Sequence, residues 1–81
     1  MVKEGTKVRV INDLYETGIG GEYGYVIAKI KHVTDTYVVK FVGRDDLHNA
    51  KDIPLSWGFP STENDCMVIR LNNLEVVGGL N

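Results

Sequence analysis

Wherever the hydrophobic and polar positions of this chain are regular, they alternate with a period of two, the signature of strands half-buried against a core. Residues 6–11, TKVRVI, put Val8 and Val10 on one side and Lys7 and Arg9 on the other. The stretch 22–31, EYGYVIAKIK, repeats the pattern, with Val26, Ala28 and Ile30 expected inward and Tyr25, Ile27, Lys29 and Lys31 outward. Residues 36–42, TYVVKFV, are rich in β-branched and aromatic side chains, which suit a pleated surface. Here Tyr37, Val39 and Phe41 are expected inward, and Val38 and Lys40 outward. A fourth strand is predicted over 65–71, DCMVIRL, with Met67, Ile69 and Leu71 inward. A last short strand is predicted over 75–77, after a tight turn of 3-10 type at 72–74.

The breaks between these strands carry turn chemistry. Residues 12–21, NDLYETGIGG, are dense in turn formers and read as a loop, while 33–35 close a hairpin. Residues 43–64 show no clear periodicity and are too long for an ordinary hairpin loop. Ile53 and Phe59 precede Pro54 and Pro60, which pushes them to extended geometry and argues against helix. Five short strands imply an all-β fold. Open edges on so small a sheet favour aggregation, so a small five-stranded barrel is expected.

Composition narrows the picture. Eighty-one residues make one domain, 1–81, of ordinary globular composition, with 43% hydrophobic and 25% charged residues. No apolar run approaches the roughly 18 residues needed to span a bilayer, so no membrane partner is expected. The N-terminal MVKEGTKV lacks the apolar segment of a secretory signal, and a lone Cys66 offers no intrachain disulfide. Both point to a cytoplasmic protein. The formal charge of −2, from nine cations and eleven anions, disfavours a strongly cationic binder; placement of charge still counts for more than its sum.

Candidate chemistry is sparse. The glycines of residues 18–24, GIGGEYG, superficially match a dinucleotide-binding turn, but Tyr25-Val26-Ile27 continues as a strand where that motif requires a helix. His32, His48, Cys66, Asp45, Asp46 and Asp52 have metal-capable groups without paired spacing, so no metal site and no cofactor are expected. No nucleophile stands visibly against a base, and the chain reads as a binding module with no enzymatic activity.

Gly5-Thr6-Lys7-Val8-Arg9-Val10, followed by a loop and then Gly24-Tyr25-Val26-Ile27, resembles the KOW motif of ribosomal proteins and transcription elongation factors. The closing Leu74-Glu75-Val76-Val77 after a tight turn looks like the last strand of the SH3-like barrels that contain it. The resemblance implies a five-stranded SH3-like barrel with a role near transcription or translation. It also implies that Gly24 answers either a backbone conformation or a close chain approach that a Cβ forbids. The connecting loop is longer here than in that motif and carries Asp13, Glu16 and Glu22, which disfavours RNA contact through the loop itself. The segments GTKVRV, TYVVKF and LEVV are similar as well to the small stromal barrel subunit of photosystem I, a docking piece.

Two kinds of partner follow. Lys7, Arg9, Lys29, Lys31, Lys40 and Arg70 fall on outward strand positions, while most carboxylates fall in loops or at strand ends. Such segregation predicts a basic sheet face for RNA, DNA or a nucleoprotein complex, with Tyr25 available to stack on a base. The same lysines also serve as ordinary solvated guards against edge pairing. The alternative is a protein-docking module that uses Tyr15 in the 12–22 loop and Trp57 and Phe59 in the 54–60 segment. The need of a small core for large side chains favours Trp57 and Phe59 as a cap on the barrel.

Overall fold

The computed structural model describes residues 2–13, 18–47 and 65–78. Five strands follow one another: β1 (Lys7–Val10), β2 (Tyr23–Lys29), β3 (Thr36–Lys40), β4 (Cys66–Arg70) and β5 (Leu74–Gly78). A 3-10 turn, Leu71–Asn73, joins β4 to β5. Every strand expected from the alternation is present, to within a few residues at the ends. All pairings are antiparallel, in one sheet of order β4-β3-β2-β1-β5. The chain therefore runs as a four-strand meander and then returns β5 to the outer side of β1. No ladder among the described residues joins the two edges, β4 and β5, so the sheet is open in hydrogen-bonding terms. No helix among the described residues is long and apolar enough to cross a membrane.

The main core lies on one face of this sheet. Val8 and Val10 of β1, Val26 of β2, Tyr37 and Val39 of β3, Met67 and Ile69 of β4 and Leu74 of β5 share it with Phe41, Ile19 and Leu47. Ile19 belongs to the first loop, yet it is buried among these residues. Asp13 brings it there: its Oδ2 accepts the backbone N–H groups of Gly18 at 2.8 Å and Ile19 at 3.2 Å. Gly24 lies opposite Val8. A Cβ added to it would stand 2.6 Å from Val39 Cγ1 and 2.7 Å from the Lys40 carbonyl oxygen. Of the two explanations for this glycine, close approach of β2 to β3 is the one the structure bears out.

A register shift between Val26 and Ala28 changes the expected faces of β2. Val26 pairs with Val39, but Ala28 pairs with Val38, one residue along β3 for two along β2. Such a bulge carries the rest of the strand across the sheet. Ala28 and Ile30, expected beside Val26, instead form a second cluster with Val38 and Cys66. Val38 was expected to face water and is 0% exposed. The error has a physical source: β3 is buried on both faces, and a strand covered on both sides shows no polar alternation to read.

The ends of the strands are tied by single backbone bonds. The Ile30 N–H donates to the Thr36 carbonyl at 2.9 Å and closes the turn between β2 and β3, in which His32 and Asp35 take left-handed conformations. The Ile11 N–H donates to the Asn73 carbonyl at 2.9 Å, fastening the 3-10 turn to the end of β1.

Candidate functional site

On the face opposite the main core, the first half of the sheet presents cations and tyrosines. In cross-strand register, Lys7 lies opposite Tyr25 and Arg9 opposite Tyr23. Tyr25 in turn lies opposite Lys40. Alternation of side chains then puts Lys7, Arg9, Tyr23, Tyr25 and Lys40 on one surface of three adjacent strands. Directly opposed residues have Cβ atoms about 5 Å apart, so these side chains are immediate neighbours. Tyr23 and Tyr25 are 52% and 41% exposed, high values for rings on a sheet. The Lys7 ammonium stands 5.1 Å from the centre of the Tyr23 ring, a cation–π contact.

The charges on this surface differ from one side to the other. On the β3 side, the Lys40 ammonium is paired with Asp65 at 3.5 Å. Partial desolvation would raise the Asp65 pKa, but the Cys66 thiol, the Lys40 charge and a backbone N–H outweigh it and hold the carboxyl below the ordinary aspartate value. Asp65 is thus held in its charged form beside the Lys40 ammonium. On the β1 side, neither Lys7 nor Arg9 forms an ion pair among the described residues, although Glu75 lies opposite Arg9.

Three carboxylates of the neighbouring loops, Asp13, Glu22 and Asp46, are engaged elsewhere. Arg44 donates through Nε and Nη2 to Asp46, at 2.9 and 3.0 Å, and through Nη1 to Glu22. The Asp46 hydrogen bond, opposed by partial desolvation and reinforced by Glu22, raises the Arg44 pKa above its already high value. Asp13 is occupied with the loop backbone. These partners neutralise acidic groups that would otherwise weaken the potential over the face.

Three of the residues expected on the basic face do not stand beside these tyrosines. Lys29 lies beyond the bulge, opposite Tyr37, and so belongs in register to the other side of the sheet from Tyr25. Lys31 is in the turn after β2. Arg70 pairs with Thr36, four residues along β3 from Lys40, or about 13 Å at a strand's rise. Arg70 thus shares a side of the sheet with Lys40, but the buried Val38 and the partly buried Val68 lie between them. The six cations are therefore divided, and the structure brings together Lys7, Arg9 and Lys40 with Tyr25. Tyr23 joins them without having been singled out from the sequence. The signal was there, since YGY at 23–25 puts both rings on one face of a strand.

Tyr15, Trp57 and Phe59, the residues of the docking alternative, lie outside the described residues. A separate cleft of about 390 Å³ opens at the far end of the sheet, between Asn12, Ile30, Val33, Met67, Arg70 and Asn73. Comparison of the chain with protein-family models, with curated proteins and with solved structures returned no match.

Proposed function

We propose that this protein is a non-enzymatic, cytoplasmic binding module that takes nucleic acid, free or within a nucleoprotein complex, on the outer face of β1, β2 and β3. One observation carries the reading: Lys7, Arg9 and Lys40 surround two exposed tyrosines on a surface of consecutive strands. Cations supply attraction to phosphate, and exposed rings supply stacking that any base satisfies. The protein's negative total does not oppose this, because several of its carboxylates are bonded to Arg44 or to the loop backbone. The resemblance of residues 5–27 to the KOW motif supports a partner of the same kind.

Fluorescence anisotropy with labelled RNA, single-stranded DNA and duplex DNA at about 50 mM salt tests the reading. Weak, salt-sensitive binding is expected, with a Kd of roughly 10⁻⁴ to 10⁻⁶ M. The double variant Lys7→Glu/Arg9→Glu loses it, whereas Lys29→Glu/Lys31→Glu, on residues away from this surface, changes it little. Absence of binding to every probe, or loss only in the second variant, contradicts the proposal.

A further inference from the structure

Resting on that reading, we infer that the nucleic acid is single-stranded, with its phosphate chain running along β1 and its bases laid across Tyr23 and Tyr25 of β2. The arrangement of charge about the two rings gives this polarity. Lys7 and Arg9, on the β1 side, form no ion pair among the described residues, even though Glu75 of β5 lies opposite Arg9, so both charges are open to phosphate. On the β3 side the Lys40–Asp65 pair is already neutral, and a phosphate there meets the Asp65 carboxylate. A phosphate chain over β1 therefore sends its bases toward β2 and β3. There the tyrosines receive base faces, and the Lys40–Asp65 pair offers one donor and one acceptor to base edges.

The tyrosines argue against a duplex. They are two residues apart on one strand, so their stems are separated by about 7 Å, and each residue is about half exposed. In a duplex the base faces are covered by neighbouring bases and cannot meet these rings. An unpaired strand can splay its bases and stack them. The Lys7 ammonium over one ring braces Tyr23 on the side next to the phosphate path. Among the described residues this face carries no helix that would enter a groove.

The test is anisotropy with labelled oligo(dT) and oligo(rU) of about 12 nucleotides, against a duplex of the same length. Both single strands are expected to bind, and the duplex more weakly. The salt dependence then separates the two sides of the face. Lys7→Gln and Arg9→Gln should each reduce the log–log salt slope by about 0.7, the value of one phosphate contact on a single strand, while Lys40→Met leaves the slope unchanged. Tyr23→Leu and Tyr25→Leu should each weaken binding by roughly 5- to 150-fold at constant slope, and the Phe variants should restore it. Should a Leu variant fail to fold, shifts of the Tyr23 and Tyr25 ring protons in the wild-type protein on adding oligo(dT) report the same contact, and unmoved rings overturn it. A slope carried by Lys40 overturns the proposed polarity. Equal or tighter duplex binding overturns the single-strand assignment and leaves the broader function standing. No binding to any oligonucleotide removes both.

Discussion

Replacing Gly24 with alanine tests the packing on which the candidate face is built. The new methyl group would stand 2.6 Å from Val39 Cγ1, 2.7 Å from the Lys40 carbonyl oxygen and 3.2 Å from Phe41 Cδ1. Two of these distances are shorter than real contacts, and one involves backbone. Val39 and Phe41 are fully buried, so neither can swing into solvent. Overpacking of this kind costs about 1–3 kcal/mol, and an immovable carbonyl puts Gly24 toward the upper end. Its φ is not left-handed, so the lower chain entropy of unfolded alanine offsets about 0.4–1 kcal/mol. The net destabilisation is about 2 kcal/mol. For a domain of this size, that lowers Tm by roughly 8–16 °C. Gly78, where a Cβ meets nothing within 4 Å, is the control, and Gly78→Ala should leave Tm unchanged or slightly higher. Thermal unfolding followed by far-UV circular dichroism gives both values. An unchanged Tm in Gly24→Ala would refute the close approach of β2 and β3.

Two further predictions concern stability. Val38→Ala, at a position with no solvent exposure, should cost about 2 kcal/mol in urea unfolding, whereas Tyr25→Ala on the open face should cost clearly less; similar losses would contradict burial of β3 on both sides. The depressed pKa of Asp65 means that its carboxylate stabilises the fold above the ordinary aspartate pKa of about 3.9, and that this contribution fades as pH falls through the folded-state value. Asp65→Asn should therefore be less stable than wild type near neutral pH and show a shallower acid limb in Tm against pH. Parallel acid limbs would show that the Lys40–Asp65 pair carries no linkage.

The strands were legible from the sequence because β1, β4 and the first half of β2 each have one face on the main core, and alternation reports a one-sided environment. It failed where that condition failed. At Val38 both faces are covered, and at Ile27 a single inserted residue carries the remainder of β2 to the opposite side. No local pattern announces such a bulge, since β-branched Ile27 reads as strand in either register. The division of the basic residues follows from the same event: Lys29 parts company with Tyr25 only because the register shifts between Val26 and Ala28. Pairing partners across strands were likewise invisible. Tyr23 gains its place through its position opposite Arg9, and Asp65 through its contact with Lys40. Gly24 reads from the sequence as a constraint, but it is the position of Val39 on the neighbouring strand, which the sequence does not carry, that makes the constraint one of close approach.

Titration of the isotope-labelled protein with oligo(dT), followed residue by residue through amide and aromatic chemical shifts, bears most directly on the claimed binding face. Perturbations are predicted to concentrate at Lys7, Arg9, Tyr23, Tyr25 and Lys40. Shifts centred on Lys29, Lys31 and Arg70, or a spectrum that does not move, would contradict the account.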